Sequence, residues 1–306
     1  MGEIVTLNEL HSDSIKRICD RCFTPNFHIT KEKIQRNLFE AEDFYPKASF
    51  VAMDEKGEEV IGFIGVKVRK TDEVYADTAW ISLLAVDPYH SDKDIGGELL
   101  DKALDVLSAE GIKTVYVGMD YKNFFSGIPA PTKRSIDFFE KHGFKADDTD
   151  HYDVEASVLN NAKLENFDVD PFEGRYKVST FGGEEKELIE FLDREFPGRW
   201  PYEAKEAFRT KKPYEMIMLL WDENEVIGFC MLNEYDVKYG GLGPIGIAES
   251  ARGKHLGDYI LRQSLMQLKK LGMGYVNIDW TRLLEFYGQF DFKVERIYRG
   301  CLKQLL

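Results

Sequence analysis

Positive charge is scarce in this chain relative to negative. Its 306 residues hold 40 Lys and Arg against 54 Asp and Glu, a formal charge of -14. That balance argues against sequence-independent nucleic-acid binding, which needs a basic face, though it leaves room for a local basic pocket. Long hydrophobic runs are missing too. No apolar stretch approaches the ~20 residues of a membrane-spanning helix. The N-terminus has no basic region followed by an apolar core, so no secretory signal is expected. Met1-Gly2 with Thr6 fits a myristoylation pattern formally, but Glu3-Ile-Val-Thr-Leu7 reads as the first strand of a domain. Cysteines are few: Cys19, Cys22, Cys230 and Cys301. Cys19 and Cys22 have the spacing of half a zinc site, and no second pair completes it. The expectation is therefore no metal, and buried thiols in a reducing cytoplasm. Apolar residues at 43% and charged residues at 31% describe a globular chain, long enough for two domains.

What is present is best seen from Ile245 to Gly272. Ile245 to Ala248 reads as a strand end, and Arg252-Gly-Lys-His255 as a short polar turn. Beyond Gly257, apolar residues recur at Ile260, Leu261, Leu265, Leu268 and Leu271, which is helical spacing. Lys269, Lys270 and then Gly272 form a helix C-terminus with a glycine after it. The order is strand, glycine-containing loop, helix. Such a loop can aim backbone N–H groups at an anion where the helix dipole is positive. Gly253 and Gly257 have no side chain to hold a phosphate away.

The same order of features occurs twice. Val51 to Phe63 parallels Leu219 to Phe229; each is a strand, an acidic turn and a second strand opening Val-Ile-Gly-Phe. Leu84 to Gly97 parallels Ile245 to Gly257. Gly96 to Gly111 and Gly257 to Gly272 both span 15 positions, so the two helices have matching length. Thr114-Val-Tyr-Val-Gly118 matches Tyr275-Val-Asn-Ile-Asp279, and Phe138 to Phe144 matches Phe286 to Phe292. Four matches in one order imply a duplicated domain. The first copy takes residues 1–162 and the second 175–306. Asp168-Val-Asp-Pro171 marks the join. Met119 to Pro131 is a turn-rich insertion in the first copy. In the second copy, Glu184 to Glu195 and Tyr202 to Thr210 read as helices, with Pro197-Gly-Arg-Trp-Pro201 as a break between them.

These motifs resemble the GNAT superfamily of N-acetyltransferases. Its acyl-CoA loop, Q/R-x-x-G-x-G/A, is matched at Arg252 and Gly257, with His255 in place of a glycine. Phe286-Tyr-Gly-Gln-Phe-Asp-Phe-Lys-Val294 resembles its closing F-Y-x-x-x-G-F-x segment, with Asp291 for glycine. The tandem layout is similar to that of mycothiol synthases. The resemblance implies two α/β domains, each a mixed, mostly antiparallel twisted sheet flanked by helices. It implies an acetyl-CoA-dependent N-acetyltransferase acting on a small primary amine by direct attack, with no nucleic-acid or membrane partner. It carries pyrophosphate binding onto the loop amides of Arg252, Gly253, Lys254, His255 and Gly257. Pantetheine binding falls on Ile245, Gly246 and Ile247, with the Ile247 N–H as oxyanion donor. Tyr287 stands where many members place a tyrosine acid. Asp279 and Glu234, each near a strand end, are candidates for the base, with Glu249 a third. Trp200, Tyr202, Trp280 and Arg282 are candidates for the acceptor cleft. The first copy has Phe139 at the tyrosine position, and Ser91 and Asp94 within its loop, where Lys93, Gly96 and Gly97 remain. An acidic side chain beside pyrophosphate is repulsive, so the second copy is the expected active one. The rival readings are another acyl or aminoacyl donor, and a non-catalytic acyl-CoA-binding protein.

Overall fold

The computed structural model describes residues 2–70, 74–90, 94–165, 172, 174–236 and 238–305. Ser91, Lys93 and the Asp168 to Pro171 turn lie outside the described residues. Two compact units form: residues 1–152 with 296–306, and residues 153–295.

In chain order the first repeat runs β1 Ile4–Thr6, α1 Ser12–Cys22, α2 Lys31–Ile34, β2 Phe50–Met53, β3 Val60–Arg69, β4 Thr78–Val86, α3 Ile95–Ala109, β5 Thr114–Val117, β6 Ile128–Pro129, α4 Lys133–Lys141 and β7 Lys145–Ser157. After the short α5, Ala162–Glu165, the second runs β8 Tyr176–Thr180, α6 Glu185–Glu195, α7 Arg199–Arg209, β9 Ile217–Asp222, β10 Glu225–Asp236, β11 Tyr239–Ile247, α8 Leu256–Lys270, β12 Tyr275–Thr281, α9 Leu284–Gly288 and β13 Lys293–Gln304.

In the first unit, β1 to β4 pair antiparallel, β4 runs parallel to β5, and the end of β13 pairs antiparallel with β5. Alternation along the strands feeds two cores. Ile64 and Phe50 face α3 through Leu99, Leu100 and Ala103. Phe63 and Val51 face α1 through Ile15 and Ile18. The hairpin turn between β2 and β3 is tied by Asp54, whose carboxylate accepts the N–H groups of Glu58 and Glu59 at 2.7 and 3.0 Å. The second unit repeats the plan. β8 to β11 pair antiparallel and β11 runs parallel to β12. The apolar stripe of α8, Leu256, Ile260, Leu261, Leu265 and Leu268, is fully buried.

The matching helices α3 and α8 are 15 residues each. Both are followed by a left-handed glycine, Gly111 (φ 79) and Gly272 (φ 91). Two expectations change. The Pro197–Pro201 break is shorter than its composition implies: α7 begins at Arg199, and Pro201 sits in its first turn, where a missing N–H costs nothing. The Met119 to Pro131 insertion contains a strand, because β6 pairs with Tyr298 and Arg299 of β13.

Candidate functional site

The two parallel strands of the second unit part company. Their pairing ends at Gly241 with Asn277. Beyond that point β11 stays with β10 alone, and a bulge at Gly243-Pro244 opposes Met231. Ala248 N–H donates back to Ile227 O at 2.7 Å. Antiparallel backbone groups alternate in direction, so the N–H groups of Ile245 and Ile247 point to the other edge, into the gap. Gly246 lies under two rings: a Cβ there would stand 2.6 Å from Phe196 and 2.9 Å from Trp200. Phe196 and Trp200 pack together at 4.5 Å between centroids. Only glycine leaves room for this cover on β11.

The strand then leads to the loop. Gly253 (φ 75) and His255 (φ 59) adopt left-handed conformations, and His255 caps α8. The N–H groups of Gly253, Lys254 and His255 donate to no described residue, and those of Leu256 and Gly257 belong to the open first turn of the helix. Arg252 departs from the expectation: its N–H closes a turn onto Glu249 O at 3.2 Å, so its amide is engaged and only its exposed guanidinium faces outward. The His255 ring is solvated and lies 3.2 Å from Asp258. Lys254 Nζ folds back to Ser250 O at 3.1 Å. A Cβ at Gly257 would meet Phe286 at 3.6 Å and Ile247 at 4.0 Å, ordinary contact distances.

Tyr287 is 4% exposed, and burial pushes its phenol well above the usual range. It therefore keeps its proton at any physiological pH. Its hydroxyl makes no hydrogen bond within the described residues. Asp279 is exposed near the end of β12; it accepts from the Tyr235 hydroxyl at 3.0 Å and from Asn277. Glu234 is exposed on β10, and Glu249 is exposed with its N–H on Glu195. Trp280 is 38% exposed under the Arg199 guanidinium, 5.4 Å from its ring. Three residues escaped the sequence reading: Phe196, Asn233 and Lys212. Lys212 reads as one of two solvated lysines after a helix, and nothing in the pattern separates it from Lys211.

The first unit carries the same parting in altered form. β4 and β5 pair only as far as Ile81 with Val117, and a bulge falls at Ser82. Asp94 sits at the start of α3, and a Cβ at Gly97 would be 2.6 Å from its carboxylate. An anion of the protein's own thus occupies this helix N-terminus. Beneath the bulge, Lys67 and Asp120 form a fully buried ion pair at 2.6 Å, with the Ser82 hydroxyl on the same carboxylate oxygen at 2.6 Å.

Residues 12–144 and 185–292 each match the acetyltransferase (GNAT) family. Among solved structures, the chain is similar to the GCN5-related glucosamine N-acetyltransferase region of a fungal multi-domain beta-N-acetylglucosaminidase, with a TM-score of 0.86 and 23% identity over 98% of this chain. It spans only 38% of that protein's chain. A GCN5-related N-acetyltransferase from Sphaerobacter thermophilus gives a TM-score of 0.77 at 14% identity, covering 99% of this chain and 95% of that one. A tandem GNAT protein from the clavulanic acid biosynthesis pathway gives 0.65 at 13%, covering 99% and 98%. At these identities the likeness is one of fold. No curated protein sequence matches the chain. The two matched regions cover most of the sequence: the chain belongs to the GNAT family of acetyltransferases, carries two GNAT domains in tandem, and is an acyltransferase.

Proposed function

We propose that the second domain, 175–306, transfers acetyl from acetyl-CoA to the primary amine of a small molecule by direct attack, while the first, 1–162, holds a degenerate loop. The observation that carries this reading is the parting of β11 from β12 ahead of a loop whose N–H groups are open. Gly253, Lys254, His255 and Gly257 take the pyrophosphate through their amides, with the side chains of Arg252 and Lys254 adding charge. Ile245, Gly246 and Ile247 hold the pantetheine arm. The Ile247 N–H meets the developing oxyanion, a contribution of about 3 kcal/mol for one such donor. Tyr287, protonated and without a competing partner, gives its proton to the departing thiolate. Asp279 and Glu234 receive the acceptor. An alkylammonium of pKa ~10 must first lose a proton, at about 4 kcal/mol at neutral pH. Acidic groups beside aromatic rings suit an amine on a ring, so an amino sugar is the acceptor class we favour. The structural likeness to a glucosamine N-acetyltransferase region of a fungal protein supports that choice. The four free cysteines suit a reducing compartment such as the cytoplasm.

The test is calorimetric titration of acetyl-CoA into the wild type and into Gly257→Glu. A Cβ fits at 257, so the substitution tests charge at the loop rather than packing. One site in the wild type that is lost in the variant is the expected result. Binding that survives the variant moves the donor to the first domain, and no binding at all removes the reading.

A further inference from the structure

Lys212 stands where the family resemblance assigns nothing. Its Nζ donates to Asn233 Oδ1 at 2.7 Å, and Asn233 Nδ2 donates to Gly243 O at 3.3 Å. Gly243 opens the bulge of β11, two residues past the last pair with β12. The amine is therefore two hydrogen bonds from the point where the gap begins. Its side chain is half-buried, and no described carboxylate forms an ion pair with it. The titratable groups that face it are Glu203 of α7, already engaged by Arg199 at 2.5 Å, and the Cys230 thiol of β10. Burial outweighs both and brings the amine down to about 8.

The first domain shows what the alternative looks like. Lys67 and Asn233 are each four residues past the Phe of the shared Val-Ile-Gly-Phe. Their strand partners also correspond: Lys67 faces Trp80 and Asn233 faces Gly241. In the first domain the lysine grows from the strand itself and pairs with Asp120 at 2.6 Å. In the second, the strand offers a neutral carboxamide instead. It holds the amine of Lys212 by one hydrogen bond and supplies no counter-charge. In the first domain the lysine meets a carboxylate; in the second the amine meets only a carboxamide.

We propose that Lys212, held by Asn233 at the bulge of β11, is the base that takes a proton from the acceptor ammonium in the second domain. The inference rests on the acetyl-transfer reading above. The acceptor ammonium gives one proton to the Lys212 amine. The freed nitrogen then attacks the thioester carbon and the C–S bond breaks. The departing thiolate takes the Tyr287 proton, and the second proton that the nitrogen sheds as the amide forms restores Tyr287 through water. The Lys212 ammonium returns its proton to water before the next turnover. An amine whose pKa lies near the working pH suits such a transfer better than an ordinary carboxylate does.

The experiment compares wild type, Lys212→Arg and Lys212→Met with two acceptors, reading CoA thiol release against pH. They are 6-amino-6-deoxyglucose, whose alkylammonium stays charged at neutral pH, and hydroxylamine. Arginine keeps the charge and cannot act as a neutral base. Expected is a fall of about a hundredfold in kcat/KM toward 6-amino-6-deoxyglucose for both variants. The wild-type limb near pH 8 is lost in both, and acetyl-CoA affinity stays within about twofold. Hydroxylamine, already unprotonated at neutral pH, should be acetylated by variants and wild type at similar rates. A merely structural role would impair both acceptors alike, and that result overturns the proposal, as does an unchanged pH limb in Lys212→Arg. A reading free of any acceptor is the pH dependence of Lys212 labelling by acetic anhydride in the wild type, followed on its peptide. Half-labelling near pH 8 supports the proposal, and half-labelling at the ordinary lysine value overturns it. Failure of the wild type to bind acetyl-CoA overturns both readings together, whereas the other adverse results strike this one alone.

Discussion

Replacing Lys67 by methionine should destabilise the first unit far more than replacing Lys67 and Asp120 together. Both side chains are fully buried, and their charges lie 2.6 Å apart. With an effective dielectric of ~20, attraction at that distance is about 6 kcal/mol. Withdrawing the two ions from water costs several kcal/mol each, so the pair itself comes out near neutral. Removing one partner leaves the other charge buried without its counter-ion, which costs about 3–5 kcal/mol. Asp120→Asn keeps an acceptor for the Ser82 hydroxyl, so Lys67→Met with Asp120→Asn removes the charges while sparing that hydrogen bond. The assay is hydrogen exchange of the β3 and β4 peptides, which reports opening of this unit without requiring the whole chain to unfold in one step. Each single variant should exchange roughly a thousandfold faster than wild type, since about 1.4 kcal/mol is a factor of ten. The double variant should return to within about tenfold. Singles whose effects simply add in the double would refute the reasoning, because additive losses mean that the two groups do not sense each other.

Three further outcomes follow from the geometry. Tyr287→Phe should lower kcat by about a hundredfold with little change in KM, measured as thiol release, because in the proposed mechanism Tyr287 gives its proton only to the departing sulfur. Gly257→Glu should abolish acetyl-CoA binding by calorimetry while leaving the thermal midpoint within a few degrees, the Cβ having room beside Phe286. Cys22, whose thiol burial pushes up to about 11, should react with iodoacetamide at pH 8 about a hundredfold more slowly than a free thiol, followed by intact mass. The sign is that of a raised acid: only above the shifted value does the reactive thiolate become the main form.

The repeat was legible because its signals are local. Val-Ile-Gly-Phe after an acidic turn and equal glycine-to-glycine spans are written in consecutive residues. The bulge at Gly243-Pro244 was not, because a register shift is a relation between two strands. Tyr287 was named through its motif, and the fold buries it. Lys212 was not, since its distinction arises only when Asn233 of β10 reaches it across 21 positions of chain. Arg252 illustrates the converse. The motif gave its amide a binding role, and the short turn Glu249–Ala251 has already used that amide. Pro201 misled for a related reason: proline weakens a helix interior yet is tolerated in a first turn.

The division of β13 between the two units bears on how the protein is made. Its residues from Arg296 onward belong with the first unit, where Leu302, Lys303 and Gln304 pair with Tyr116, Val115 and Thr114 of β5. Residues from Asp153 onward, the end of β7, belong with the second. A growing polypeptide therefore emerges with its first sheet open at β5, and that edge stays unfilled until the whole second repeat has been synthesised. Such late, distant closure slows folding and leaves a strand edge exposed to other chains meanwhile. Cutting the gene between the repeats would yield two halves that each lack a strand of their own sheet, and adding them together is the arrangement in which either regains it.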